Sequence, residues 1–383
     1  MNFLPDTLLH PQTTYVGNAH LDKFCPIVKS FGTKGVIIVG ESLAGTTQFQ
    51  EFFTNLKYNN SALEIAVVTF GGKEPTVTDL EKILTQIRPH NAQWIVAMGG
   101  GSILDLGKAA CALYHAPKPA AHYHNGGSID FSGPALIACP STAGTGSEAN
   151  MVSVLTDPIA NVKRSFRAPA MLPKAVILAP KLLESCPATV VAASGMDALT
   201  QAIESYMSTG ATEYSSMLAL QAAKLIGDNL YSGYQQAQAG CVQTDVGETL
   251  LTGSYIAGIA FASSRLGVVH GLAHPFGARF HVPHGLVCAI CLPYALSFNK
   301  EAAEAQYETL SEYFQQDLIE FICKLNYKLG ISNVLAGKEI EDSESFVQEI
   351  LASGSTAANP RKVDEKSARQ LISDIVDDAI INS

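Results

Sequence analysis

The sequence predicts two halves of different class: an α/β N-terminal half built on a parallel sheet covered on both faces, and an all-helical C-terminal half. Three observations carry this. In the first half, short continuous apolar runs alternate with segments of helical period, the pattern of strands buried on both sides. Beyond about Leu182 the strand signals fade into long Ala/Leu/Ile-rich helical stretches. The length of 383 residues also exceeds what one hydrophobic core ordinarily organises. The division falls near 180–187, which gives domains of 1–183 and 184–383.

Taken in order, GVIIVG (35–40) is the first strand, with ESLAGTTQFQEFFTNL as the turn and helix behind it. EIAVVTF (64–70) is the second, after which Pro75-Thr76 opens the helix TVTDLEKILTQIRPH. QWIVAMGGG (93–101) is the third and runs into Gly99-Gly100-Gly101, followed by the helix SILDLGKAACALYH. Glycines at a strand's carboxyl end let the backbone approach a ligand closely. Ser102 can cap the helix, and the exposed amides at its start suit a pyrophosphate. The pattern is not G-x-G-x-x-G, and a plain tight turn is the alternative. ALIACP (135–140) is the fourth strand and ends in PSTAGTGSEAN, where hydroxyls and glycines interleave. Two Gly/Ser/Thr-rich turns at equivalent strand ends favour a ligand over two ordinary loops.

In the second half, the helix GMDALTQAIESY carries Asp197 and Gln201 four apart, hence on one face, with Glu204 and Tyr206 on neighbouring faces. The stretch Arg265–Gly285 then holds four of the ten histidines. His270 and His274 are one helical turn apart, and Pro283-His284-Gly285 offers another imidazole just before the apolar helix LVCAICLPYAL. Imidazoles carried on successive elements can converge on one cation, as catalytic metal sites require. Asn359-Pro360-Arg361 is a turn opening a closing helix over 364–380.

A formal charge of −10 argues against nucleic acid or an anionic membrane as partner. The eight cysteines are scattered among apolar neighbours, as expected of reduced thiols in a cytoplasmic protein. Cys288 and Cys291 form a single C-x-x-C, read here as core packing. The first residues lack a basic stretch followed by an apolar one, so no signal peptide is expected, and no apolar run reaches membrane-spanning length.

GGGSILDLGK (99–108), PSTAGTGSEAN (140–150), GMDALTQAIESY (195–206), HGLAHPFGARFHVPHG (270–285) and the NPR at 359–361 together resemble successive motifs of the iron-containing, group III alcohol dehydrogenases. The resemblance implies a Rossmann-like N-terminal domain for NAD(P), an all-α C-terminal domain with one divalent metal and a cleft between them, the dehydroquinate synthase-like architecture. It also implies a small-molecule alcohol or aldehyde substrate and a homodimer. Position by position, Gly100, Gly101, Ser102, Asp105, Thr142 and Thr145 match the family's dinucleotide-binding segments. Glu41 falls where the family often has an aspartate after the first strand. An acidic side chain there repels a 2′-phosphate, which favours NAD over NADP.

Asp197, His270 and His284 match three of the family's four metal ligands, and His274 matches the histidine beside the nicotinamide that is given a proton-relay role. The fourth ligand position holds Gln201 instead of histidine. An amide is a poorer ligand than imidazole, so a weaker site that takes zinc in preference to iron is expected. A subgroup of the family oxidises 3-deoxy-manno-octulosonate, and Arg265 and Arg279 within the histidine stretch either suit such a sugar acid or make ordinary surface or dimer-interface ion pairs. The alternative is a catalytically silent, metal-deficient dinucleotide-binding member of the family.

Overall fold

The computed structural model describes residues 2–58, 62–71, 74–160 and 162–379. The chain divides into two compact units. One comprises Leu9–Cys186 with Ala239–Tyr255, and the other Met1–Leu8, Pro187–Gln238 and Ile256–Ser383.

The first unit is built on eight strands among the described residues: β1 (Thr13–Val16), β2 (Lys34–Gly40), β3 (Glu64–Phe70), β4 (Trp94–Gly99), β5 (Ala135–Pro140), β6 (Val152–Asp157), β7 (Val162–Arg167) and β8 (Ala175–Leu178). Six form one parallel sheet in the order β1-β8-β5-β4-β2-β3, and β6 pairs antiparallel with β7. The four expected strands are β2, β3, β4 and β5, which are neighbours in the sheet with β3 at its edge. The side chains of β2, β4 and β5 alternate between two covered faces, while the edge strand β3 is mostly half-buried or exposed. Ile37, Val39, Trp94, Val96, Met98, Ile137 and Cys139 join Phe24, Val28, Phe49 and Leu56 in one buried cluster.

Three short-to-medium helices leave the carboxyl ends of these strands or return along the sheet: α1 (Glu41–Ala44), α2 (Val77–Ile87) and α3 (Gly101–Ala112). The α2 helix starts where Thr76 and Asp79 cap each other's backbone amides, a reciprocal capping box. The chain runs from β2 to β3 on one side and then crosses to β4 on the other, so the strand order switches between β2 and β4. In open α/β sheets that switch point is where ligands bind, outside the carboxyl ends of the strands.

Ala239–Tyr255 belongs with this sheet unit although it follows the helical half's first helices. Val242 N donates to Glu184 O at 3.0 Å, and the Tyr255 hydroxyl lies 2.6 Å from Thr14 Oγ1.

The second unit is helical. The elements that matter for function are α4 (Ala188–Met207), α5 (Glu213–Gln238), α6 (Val268–Phe280), α7 (His284–Asn299) and α8 (Ser343–Ala352). The middle of α4, from Gly195 to Ser205, is buried all round, as an apolar helix enclosed by neighbours should be. The closing helix runs Glu365–Val376; Ile380, the last residue expected in it, lies outside the described residues. Among the described residues no single helix is long and apolar enough to cross a membrane.

Candidate active site and metal centre

Asp197, Gln201 and Glu204 lie at i, i+4 and i+7 on α4 and so share a face. All three are buried. His270 is the third residue of α6, and His284 is the first of α7. What places these histidines is the capping of α6. The amide of Val269 donates to Glu204 Oε1 at 2.6 Å, and the amide of Val268 donates to Asn359 Oδ1 at 3.1 Å. Two of the four orphan amides of that helix are thus satisfied by residues remote in sequence. Asn359 is itself clamped: it accepts from Asn299 Nδ2 at 3.0 Å and donates to Asn299 Oδ1 at 2.7 Å.

Past α6, His281 takes the left-handed conformation, with φ of 54°, and Pro283 precedes the first turn of α7. Gly285 then allows α7 to press onto α4. A Cβ there would lie 2.1 Å from Ala193 O and 3.2 Å from Asp197 Cβ, so only glycine lets His284 come down to Asp197.

The result is a tight donor cluster. Asp197 Oδ1 is 3.4 Å from His270 Nε2 and 3.8 Å from His284 Nε2. Asp197 Oδ1, His270 Nε2 and Gln201 Oε1 are buried with no hydrogen-bond partner. Such orphans are rare in folded proteins and call for an unseen group. On its other side, His270 Nδ1 is 2.6 Å from Glu204 Oε2. A carboxylate there keeps Nδ1 the donor and turns Nε2 toward Asp197, the orienting contact typical of metal-binding histidine.

Electrostatics agree with a cation site. Burial works against charge on Asp197, but the His270 and His284 imidazoles beside it outweigh that and hold its carboxyl below the usual range. Burial likewise opposes charge on His270, and Glu204 with Asp197 overrides it, pushing the imidazole up to about 10. Two buried carboxylates thus draw positive charge into this spot, and a divalent ion suits the donor set of carboxylate and imidazoles.

His274 lies outside this cluster. It is exposed, and its ring stacks on His284 at 5.3 Å between centroids. Cys288, one turn beyond His284 on α7, does belong: its sulfur is 3.7 Å from His284 Nε2, and it joins Asp197, His270 and His284 with ligand atoms all within 4.8 Å of one another. Cys288 is buried in the core, as expected, and its i, i+4 spacing from His284 also brings its sulfur to this cluster. Arg279 is engaged elsewhere. It forms an ion pair with Glu349 on α8 at 2.6 Å and stacks over Phe346.

In the sheet unit, the residues expected to bind a dinucleotide gather at the carboxyl ends of β2, β4 and β5. Glu41 starts α1 directly after β2, is exposed, and packs over Gly71 at the end of β3, where a Cβ would lie 2.3 Å from Glu41 Oε2. Gly100 is the N-cap of α3, with Gly101 and Ser102 in its first turn and no side chain capping the helix. Thr142 packs on Gly100 and Thr145 on Gly101. A helix start without a side-chain cap, at the sheet's switch point, is a ready anion site.

Asp105 is turned inward. It accepts from Ser147 Oγ at 2.5 Å and from Val154 N at 2.9 Å, and it lies 3.2 Å from Lys108 Nζ. Its carboxylate is spent bracing the Thr142–Ser147 loop against α3. The buried Lys108 also donates to Ser147 O at 2.9 Å. Beside it, burial pushes the Glu148 carboxyl up to about 7, against the pull of its own amide and of Lys108.

Comparison with known proteins agrees across the chain. Residues 11–180 match the iron-containing alcohol dehydrogenase family, and residues 191–376 match the C-terminal part of the Fe-containing alcohol dehydrogenase family. A probable alcohol dehydrogenase of Salmonella typhimurium is 34% identical over 298 residues, covering 75% of this chain and 74% of that protein. An NADPH-dependent butanol dehydrogenase of Clostridium saccharobutylicum is 27% identical over 383 residues, 94% of this chain and 95% of that one. The crystal structure of sulfoacetaldehyde reductase from Bifidobacterium kashiwanohense in complex with NAD+ superposes with a TM-score of 0.89 at 25% identity, covering 98% of this chain and 99% of that one.

Proposed function

The chain belongs to the iron-containing alcohol dehydrogenase family, and on that premise we propose that it is a metal-dependent oxidoreductase exchanging hydride between a small alcohol or aldehyde and NAD(P). The observation that carries this reading is the pair of buried, unpartnered atoms Asp197 Oδ1 and His270 Nε2, facing each other beside His284. Asp197, His270 and His284 hold the metal, with Gln201 adjacent. A divalent ion there supplies Lewis acidity toward a substrate oxygen, and the nicotinamide supplies the hydride chemistry.

The remaining work falls to side chains of this protein. Glu204 fixes the His270 tautomer, and Asn359 fixes the helix that carries it. His274, exposed and stacked on His284, takes the substrate's proton to solvent. Gly100, Gly101 and Ser102 present amides to the pyrophosphate, with Thr142 and Thr145 lining the same turn. Asp105 acts on the cofactor only through the loop it braces. Glu41 stands at the end of β2 to meet the ribose hydroxyls, which favours NAD over NADP; relatives include an NADPH-dependent enzyme, so this choice varies among similar proteins. Three strong ligands with a histidine missing at Gln201 favour zinc over iron. Eight free cysteines accord with a reducing cytoplasm.

For the substrate, simple alcohols and diols lead. A sugar acid such as 3-deoxy-manno-octulosonate would need a guanidinium for its carboxylate, and Arg279 is already committed to Glu349. A silent, metal-deficient role is disfavoured because the metal-binding donors are in place. The test is a panel of simple alcohols, diols and sugar acids, assayed with NAD and with NADP in the presence of zinc or iron. Turnover on at least one alcohol or its aldehyde is expected. No turnover across the panel with metal and cofactor demonstrably bound would contradict the reading.

A further inference from the structure

We propose that the Cys288 thiolate, and not the Gln201 amide, is the fourth protein donor to the metal, making the centre a zinc site. The inference rests on the metal reading above and extends it to a residue outside the ligand set that the sequence motifs supply. Cys288 is one turn beyond His284 on α7, so both side chains leave the same face. Around a tetrahedral zinc with bonds of about 2.05 Å to nitrogen or oxygen and about 2.3 Å to sulfur, N or O donors stand about 3.4 Å apart and an N–S pair about 3.6 Å apart. The separations here are 3.4 Å for Asp197–His270, 3.8 Å for Asp197–His284 and 3.7 Å for His284–Cys288. These three separations lie within about 0.4 Å of the tetrahedral values, and all four ligand atoms lie within 4.8 Å of one another, so side-chain rotations can bring them onto one ion.

The second observation is independent of the cysteine. Asp197 Oδ1 and His270 Nε2, both on buried residues, are left without partners and border the same point. Gln201 Oε1 is unpartnered as well, but it is a poorer claimant, because a neutral amide oxygen is a weaker donor to zinc than a thiolate. Cys291, three residues on and equally buried, lies outside the donor group. Thiolate softness would favour zinc over iron(II). The stoichiometry is simple: the sulfur–metal bond forms as the S–H bond breaks, and the thiol proton leaves to solvent.

The test uses the full chain, stripped of metal and reloaded with cobalt(II) in place of zinc, read by absorption spectroscopy and by zinc competition with a chromophoric chelator. A sulfur-to-cobalt charge-transfer band is expected in the parent, in Cys291→Ala and in Gln201→Ala, and should vanish in Cys288→Ser. Zinc affinity should fall by about 100-fold or more in Cys288→Ser and by about tenfold or less in Gln201→Ala. Cobalt bound by the parent without that band, or a band that survives Cys288→Ser, overturns the assignment while leaving the metal site standing. If Cys288→Ser fails to fold, the parent spectrum alone decides. A parent that takes up neither cobalt nor zinc overturns this inference and the metal reading together.

Discussion

Replacing Glu204 by glutamine tests how the centre is built. Both carboxylate oxygens are in use at 2.6 Å: Oε1 accepts from the Val269 amide and Oε2 from His270 Nδ1. Glutamine keeps one acceptor and turns the other into an NH2 donor. In one orientation the NH2 faces His270 Nδ1, and the imidazole must move its proton to Nε2, removing the lone pair aimed at Asp197. Loss of such an orienting partner costs about 10–100-fold in metal affinity, or about 1.4–2.7 kcal/mol. In the other orientation the NH2 faces the Val269 amide, leaving a buried helix donor unsatisfied at a cost of about 1–3 kcal/mol of stability. Glu204→Gln should therefore lose metal affinity, metal-free stability or some of both. The assays are zinc competition and thermal unfolding of the stripped protein. A variant matching the parent in both would refute the claim that Glu204 orients His270 and caps α6.

Three further outcomes follow from the same geometry. Glu148 is carried from 4.5 to about 7 by burial, so its folded-state pKa lies above the unfolded one. Its contribution to stability is complete below pH 4.5 and is lost as pH rises through about 7, a swing of about 3 kcal/mol. Glu148→Gln does not titrate, so its Tm relative to the parent should climb between about pH 5 and about pH 8, and a flat difference would count against the burial argument. Glu41→Gly should shift the NAD over NADP binding preference downward by about tenfold, about 1.4 kcal/mol, as read by calorimetry; an unchanged ratio would remove Glu41 from the ribose. Arg279→Gln breaks a half-exposed ion pair and should cost about 1 kcal/mol or less in unfolding. Its ratio of kcat/KM between acidic and neutral alcohols should stay at the parent value, and a selective loss on acidic substrates would restore Arg279 to the substrate site.

Strands β2 to β5 were legible because each is a continuous apolar run ending in glycine, proline or a polar turn. The other four escaped for local reasons. β1 and β8 are four residues each, one at a sheet edge and the other hemmed by Pro173 and Pro180. β6 and β7 form a hairpin whose partly exposed faces carry Lys163, Arg164 and Ser165, which mute the apolar signal.

In the site, helical spacing paired His270 with His274 and Asp197 with Gln201, and the family resemblance singled out Asp197, His270 and His284 together. Spacing could not reveal that Glu204 pairs with His270 across 66 residues, or that Asn359 caps α6. Those contacts depend on how helices meet. Asp105 marks the same limit from the other side: its place in a glycine-rich motif suggested a ligand, while its carboxylate points to Ser147 and Val154. Cys288 lies near His284, one helical turn away, a proximity that C-x-x-C pairing with Cys291 obscured.

The most direct measurement of the central claim is the rate of nicotinamide reduction, by the alcohol found active in the panel, as stripped protein is titrated with zinc or iron(II). The account predicts no rate above background in the stripped protein, a rise that saturates at one metal per chain, and no recovery in His270→Ala or His284→Ala. An undiminished rate in stripped protein kept under chelator, or full recovery in either histidine variant, would contradict it.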